Sequence, residues 1–357
     1  MKILHIITSL QMGGAEKLVT EIAPLIRDKG IEVDVLSISG EMTPFMRILE
    51  EKNIKVLHLG IKCNVYNPFF AFRIIKIIKD YDIVHTHNTA SQYFVAFASM
   101  FCKTNTVTTE HSTSTRRRRF KFFKYFDRWM YRRYDSIICI SEPSKQSLVS
   151  YIGKGYPILI IKNGINIKSL INAVPVNLDI NANRVITMVA GFRYEKDQPT
   201  VINALKYLPY GYQVVLVGDG ERRKEFENLI KINKLDERVH LLGIRTDVPR
   251  ILKASDVIVM SSHREGLSLS NVEGMSVGKP FIASDVEGLR EVTKGYGLLF
   301  PEGNSKVLAS LIEKVCTDDC YANDISMKCL ERAKEYDIEK MVNQYIDVYN
   351  SIYKRNK

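Results

Sequence analysis

The 357-residue sequence is short of several features that would each have directed its reading elsewhere. No apolar run approaches the ~20 residues that a membrane-spanning helix needs. The opening stretch, residues 3–10, is broken by His5 and followed by Gly13-Gly14. It therefore lacks the long apolar segment and small-residue cleavage site of a secretory leader, and the chain is expected to be cytoplasmic. Cysteines are few and scattered: Cys63, Cys102, Cys139, Cys316, Cys320 and Cys329, with no CxxC pair and no adjacent His to complete a zinc set. All six read as reduced, mostly buried small hydrophobes. Hydrophobic residues make up 45% and charged residues 25%, which excludes disordered and fibrous classes. The length sets a prior of two domains.

Charge is abundant but uneven. Residues 1–170 hold 25 Lys and Arg against 14 Asp and Glu, whereas residues 171–357 hold 26 of each, so the first half carries the whole formal charge of +11. Residues 116–133 concentrate it, with nine basic residues and one acid, Asp127. A local excess points to a partner or surface met by one domain only.

Short apolar runs alternate with helical patterns. Strands are expected at 3–8, 32–38, 54–57, 83–87, 106–109, 136–140 and 158–161, with a helix at 15–27 ending before Gly30. Residues 166–183, with Pro175 and several Asn, read as a linker. Strands resume at 185–190, 213–217, 239–242, 257–260, 280–283 and 297–300, with helices at 197–207, 221–231, 248–253 and 269–277 and a helical tail over 304–354. The alternation predicts two doubly wound α/β domains with a cleft between them. The expected boundaries are 1–165, a 166–183 linker, 184–335, and a 336–357 helix packing back on the first domain. Ligands of such sheets bind beyond the carboxyl ends of the strands.

Three segments fall at such ends. Gly13-Gly14 follows the first strand and opens a helix, where backbone can approach an anion closely. Gly191-Phe192-Arg193-Tyr194-Glu195-Lys196 follows the second domain's first strand, and its two cations suit a diphosphate, Arg193 bidentately and Lys196 as a point charge. Glu265 and Glu273, eight apart, bracket the start of a helix where Gly266, Leu267 and Ser268 can offer N–H groups. Two carboxylates so placed suit hydroxyls at two points of a ligand, such as a sugar and a ribose.

Together with Asn163-Gly164-Ile165-Asn166, Gly218-Asp219-Gly220, residues 239–243 and the run Glu273-Gly274-Met275-Ser276-Val277-Gly278-Lys279-Pro280, this ordered set resembles the family 4 retaining glycosyltransferases of bacterial surface-polysaccharide type. The resemblance spans nearly the whole chain and implies the GT-B fold, two Rossmann-like domains facing across a cleft. Gly274 stands where that family usually has Ala. The resemblance further implies that Arg193 and Lys196 neutralise the donor diphosphate, that Glu273 binds the ribose, and that Glu265 contacts the transferred sugar. Gly14 would approach the diphosphate and Gly243 and Ile244 would border the base. His111 would lie near the reacting sugar, making it and Glu265 the candidate catalytic residues. The remaining histidines are read from the strands: His5 and His240 as core or edge residues, His85 and His87 as strand-terminal residues aimed at the cleft.

No metal or cofactor is expected. Asp80-Tyr81-Asp82 has the Asp-x-Asp form but precedes a strand, at the wrong end of a sheet for the site. In the basic segment, Phe122, Phe123, Phe126, Trp129 and Met130 share helical spacing. That face is expected to dock on the first domain while Arg116, Arg117, Arg118, Arg119, Lys121 and Lys124 meet an anionic membrane surface or a phosphorylated acceptor. Nucleic acid is not expected as a partner. The function implied is a retaining transfer from a nucleoside-diphosphate sugar to a hydroxyl, with a lipid-linked glycan as acceptor. Two alternatives stay open: a UDP-sugar epimerase of the same fold, and a non-catalytic sugar-nucleotide or membrane-binding protein.

Overall fold

The computed structural model describes every residue except 12, 62–63, 112–117, 119, 121, 266–268 and 356–357. The chain divides into two compact units, residues 1–163 with 338–357, and residues 164–337.

The first unit runs β1 (Lys2–Ile7), α1 (Gly14–Asp28), β2 (Glu32–Ser39), α2 (Pro44–Glu51), β3 (Lys55–Gly60), α3 (Phe69–Ile78), β4 (Ile83–His87), α4 (Thr89–Ala98), β5 (Asn105–Glu110), α5 (Phe123–Tyr131), β6 (Ser136–Cys139), α6 (Glu142–Ile152) and β7 (Ile158–Ile160). Seven parallel strands lie in the order β3-β2-β1-β4-β5-β6-β7. Apolar residues on both faces explain the continuous apolar runs: Ile3 and Ile7 pack into one core layer, Leu4 and Ile6 into the other. The strand order reverses between β1 and β4, which marks the ligand-binding position of such a sheet.

The second unit repeats the plan. Its elements are α7 (Ile167–Ile171), β8 (Arg184–Val189), α8 (Gln198–Ala204), β9 (Tyr212–Val217), α9 (Arg223–Ile232), β10 (Val239–Gly243), α10 (Val248–Ala254), β11 (Val257–Met260), α11 (Leu269–Met275), β12 (Phe281–Ser284), α12 (Glu287–Thr293), β13 (Leu298–Phe300), α13 (Ser305–Thr317) and α14 (Asp319–Ala333). Six parallel strands lie in the order β10-β9-β8-β11-β12-β13, so the reversal falls between β8 and β11. The segment expected to be a linker opens instead with α7, whose Ile167 and Leu170 are buried in this unit's core. The chain then returns to the first unit as α15 (Ile338–Arg355), which buries Met341, Val342, Tyr345, Tyr349 and Ile352 alongside α1.

Five cysteines are described and all are free; Cys139, Cys316 and Cys329 are buried, and Cys320 is exposed. Among the described residues no helix is long and apolar enough to cross a membrane. The glycine at 274 has a local cause. A Cβ there would meet the Phe281 ring at 2.6 Å and Ile258 Cγ2 at 2.9 Å. The bulky Phe281 occupies the space an alanine would need. Gly274→Ala is predicted to destabilise the fold by about 1–3 kcal/mol through overpacking, with Gly274→Ala combined with Phe281→Leu recovering most of the loss in urea denaturation.

Candidate functional site

In the second unit the site is built by loops leaving adjacent strands. Gly218, at the exit of β9, has φ +137°, and a Cβ on it would meet the Ala190 carbonyl oxygen at 2.1 Å. Only glycine lets the β9 loop lie this close to the β8 loop. Backbone bonds lace the layer together: Phe192 N donates to Asp219 O (3.0 Å) and Gly218 N to Gly243 O (2.8 Å). Gly243 also has positive φ, and Ile244 beyond it is exposed.

The β8 loop is braced on its other side by the loop leaving β11. Ser262 Oγ and His263 N both donate to the Glu195 carbonyl, at 2.6 and 2.9 Å. Buried Asp197 accepts from Ser261 Oγ (3.0 Å) and from Thr200 N (3.3 Å), capping α8. These ties set the side chains across the strand-order reversal. Lys196 Nζ and Glu265 Oε2 meet at 2.6 Å, with side chains only 17% and 16% exposed. Glu273 sits half-buried on α11, and Arg193 is exposed on the β8 loop. Gly266, Leu267 and Ser268 lie outside the described residues. Arg222 was not anticipated. Its guanidinium lies over the Tyr194 ring (5.6 Å), donates to Glu225 (2.6 Å) and reaches the Lys196 carbonyl (3.4 Å). Its signal was the Arg222-Arg223 pair just after Gly218-Asp219-Gly220.

In the first unit, exposed Gly14 opens α1 beyond β1. Asn88 follows β4 with φ +74° and ψ 158°, a region nearly reserved for glycine. Holding a non-glycine residue there costs about 1–3 kcal/mol, and such strain gathers at functional turns. Asn88 Nδ2 donates to Glu16 Oε1 at 3.1 Å, joining the turn after β4 to the first turn of α1 at this sheet's reversal. Glu16 belongs to the Gly13-Gly14-Ala15-Glu16 segment after the first strand, whereas Asn88 did not stand out in the sequence. The only signal was position, an Asn between a strand and a helix.

His85 and His87, expected at the strand end to be aimed at the cleft, are both fully buried. β5 continues to Glu110 and flanks them, and α15 covers His85. His85 Nδ1 meets the Tyr349 hydroxyl at 2.6 Å and its Nε2 meets Thr109 Oγ1 at 2.8 Å. His87 Nε2 meets His5 Nδ1 at 3.0 Å and its Nδ1 meets His111 Nε2 at 2.9 Å. His5, His85 and His87 have a metal-like grouping, their ring nitrogens within 4.8 Å. All four ring nitrogens of His85 and His87 already have partners, so a cation would have to break those bonds. At the amino-terminal end of β1 and β4, Asp82 Oδ2 accepts from Lys2 N at 2.8 Å, which gives the Asp-x-Asp segment a structural task.

The basic segment departs most from expectation. The inward face of α5 is Asp127, Met130 and Tyr131. Asp127 accepts from the Tyr93 hydroxyl (2.6 Å) and the Tyr151 hydroxyl (2.9 Å), which fixes the helix's rotation. Of the expected docking face, Met130 is buried and Trp129 packs half-buried against the core, while the phenylalanines are turned to solvent: Phe122 is 69%, Phe123 40% and Phe126 49% exposed. Arg118 is not a surface cation either. It is buried in an ion pair with Glu110 (2.8 Å), which also accepts from Gln92 (2.6 Å) and Tyr131 (2.5 Å). Lys124 is partly exposed; Arg116, Arg117, Arg119 and Lys121 lie outside the described residues.

Comparison with known proteins follows the same two-part division. Residues 12–169 match the family model Glycosyltransferase Family 4, and residues 172–336 match Glycosyl transferases group 1. The chain is 25% identical to the UDP-Gal:alpha-D-GlcNAc-diphosphoundecaprenol alpha-1,3-galactosyltransferase of Escherichia coli, over 98% of this chain and 96% of the relative. It is 22% identical to the phosphatidyl-myo-inositol mannosyltransferase of Mycobacterium leprae, over 95% and 93%. Among solved structures it resembles Anabaena HepE in complex with UDP, with a TM-score of 0.84 and 23% identity, covering 98% of this chain and all of that one.

The buried imidazoles make a pH prediction. Burial strips water from the charged form and pulls His5 down to about 3 and His111 to about 4 from an ordinary 6.5. Burial, then neighbouring histidines, hold His85 and His87 well below 6.5. Below 6.5 the unfolded chain therefore binds more protons than the folded one. Stability is expected to be flat above about pH 8 and to fall as pH drops through 6.5, each group contributing up to about 1.4 kcal/mol per pH unit. Urea denaturation from pH 8 to 5 checks this, with His5→Phe reducing the slope.

Proposed function

This chain belongs to glycosyltransferase family 4, and on that premise we propose that it is a retaining transferase moving a sugar from a nucleoside-diphosphate donor to a hydroxyl of a lipid-linked glycan. The observation that carries the donor reading is the Lys196–Glu265 pair at the strand-order reversal of the second unit. Positive charge there suits a diphosphate, and the carboxylate beside it suits the hydroxyls of the attached sugar. Arg193, exposed on the same loop, adds a bidentate cation. Half-buried Glu273 would take the ribose hydroxyls, Gly243 and Ile244 would border the base, and Gly14 would admit the diphosphate closely. The HepE complexes hold UDP and UDP-glucose, which favours uracil as the base.

The reaction needs charge neutralised where it develops. As the bond between the anomeric carbon and the diphosphate breaks, negative charge grows on the phosphate oxygens, which Arg193 and Lys196 are positioned to stabilise. The acceptor oxygen forms the new bond on the face the diphosphate leaves, and its proton passes to a departing phosphate oxygen. Glu265 holds the sugar hydroxyls during transfer, and the family resemblance assigns His111 to the reacting sugar. A family relationship to named transferases, and none to an epimerase among the relatives described above, favours transfer over epimerisation.

The acceptor reading rests on the first unit. The Escherichia coli relative is named for a diphosphoundecaprenol acceptor and the Mycobacterium leprae relative for a phosphatidylinositol. Outward Phe122 and Phe126 on α5, beside Lys124, suit insertion into an anionic lipid surface, aromatic rings entering the headgroup boundary and cations meeting phosphates. The helix docks through Met130 and Tyr131 while these rings face outward, which assigns lipid contact to the rings as well as to the charges. An enzyme so attached works at the inner face of the cell membrane.

Two experiments test these readings. In a thermal-shift panel of UDP-, GDP- and ADP-sugars, a true donor at 100 times its dissociation constant stabilises the fold by about 2.7 kcal/mol. Lys196→Ala and Glu265→Gln are expected to lower transfer by roughly 10²–10³-fold while the chain still folds; near-normal turnover in either removes the donor assignment. In flotation with phosphatidylglycerol vesicles, Phe122→Ser with Phe126→Ser is expected to reduce the bound fraction severalfold. Equal partitioning of variant and wild type defeats the membrane reading.

A further inference from the structure

Three imidazoles form a continuous hydrogen-bonded line through the first unit. His5 Nδ1 contacts His87 Nε2 at 3.0 Å, and His87 Nδ1 contacts His111 Nε2 at 2.9 Å. The sheet makes the line possible. His5 and His85 are register partners on β1 and β4, and His87, two residues on, shares their face. The rings lie against one another, with centroids 5.2 Å apart at both steps. His85 braces the line from the side, its ring centroid 4.3 Å from that of His87 and its own nitrogens held by Tyr349 and Thr109.

The line starts at a dead end. His5 Nε2 is buried and has no hydrogen-bond partner among the described residues. A proton entering from His111 would have no exit there, so the line is not a conduit; it orients. Each contact needs one N–H and one lone pair, so the three tautomers are tied together and only two patterns exist. In one, every proton sits on Nε2, which leaves an unpaired N–H buried at His5. In the other, every proton sits on Nδ1, which leaves only a lone pair there. Orphaned buried N–H groups are the rarer outcome in proteins.

We propose that His5 and His87 are positioning residues that lock His111 into its Nδ1–H tautomer, so that the nitrogen left for a ligand is a hydrogen-bond donor directed at an oxygen of the transferred sugar. This rests on the reading that His111 faces that sugar. A fixed donor costs no reorganisation when the oxygen gains charge in the transition state. It also discriminates: a sugar lacking an oxygen at that point leaves the N–H unmet.

The test uses the full chain with ¹⁵N-labelled histidine and long-range ¹H–¹⁵N correlation at pH 7.5, without ligand. His111 protonated on Nδ1 supports the inference; protonation on Nε2 overturns it. His87→Phe keeps a ring but removes both nitrogens, and His111 should then lose its single tautomer. His87→Asn places an amide near the Nδ1 position and should restore it. A His111 signature unchanged by His87→Phe overturns the inference. If His87→Phe does not fold, His87→Met, which also removes both nitrogens facing His5 and His111, gives the same readout. UDP release from UDP-glucose or UDP-galactose separates the two claims. His111→Ala at wild-type rate ends the reading that His111 serves the sugar. A fall in His111→Ala with no fall in His87→Phe ends the positioning claim alone. Both claims together predict a roughly tenfold loss in His87→Phe, rescued by Asn, and no further loss when His87→Phe is added to His111→Ala.

Discussion

The second unit is organised around one ion pair. Lys196 and Glu265 come from loops on opposite sides of the strand-order reversal, and hydrogen bonds brace the two loops against each other. The Glu195 carbonyl takes two hydrogen bonds from the β11 loop, and buried Asp197 takes another. Gly218 packs the third loop against them. The result is a positive centre and a negative centre 2.6 Å apart, largely shielded from water. Shielding raises the strength of both charges and makes leaving either unpaired expensive. A ligand carrying its own anion and its own hydroxyls can engage both without stranding either.

The first unit contributes a different kind of order. Its reversal holds a strained Asn88 tied to the Glu16 carboxylate, and a set of imidazoles buried too deeply to carry charge. Their cover includes α15, which reaches this unit only after the chain has completed the second one. Tyr349 on that helix bonds His85. The last helix of the chain is thus part of the histidine cluster's support. The core of the first unit includes a helix from beyond the second unit.

Much of this was legible in the sequence because parallel strands buried on both faces read as unbroken apolar runs, and the loops that matter begin where those runs stop. Lys196 and Glu265, singled out by their position at strand ends, do meet in the structure, while Arg193 lies exposed on the β8 loop and Glu273 half-buried on α11. The failures share a cause, which is contact between residues far apart in the chain. The spacing of Phe122, Phe126 and Met130 allowed more than one inward face for α5; Asp127, held by Tyr93 and Tyr151 from α4 and α6, decided it. Arg118 looked like one cation among many until Glu110 was found beneath it. His87 ends its strand, yet its depth depends on how far β5 extends and on the imidazoles around it. Gly274 seemed a neutral replacement of Ala, although Phe281 requires it.

The most direct measurement is a crystal structure of the chain with UDP or a UDP-sugar bound. The account predicts the diphosphate within hydrogen-bonding distance of Arg193 and Lys196, the ribose on Glu273, and the sugar hydroxyls on Glu265. A nucleotide seated elsewhere on the second unit, with the Lys196–Glu265 pair untouched and Arg193 in bulk water, would contradict it.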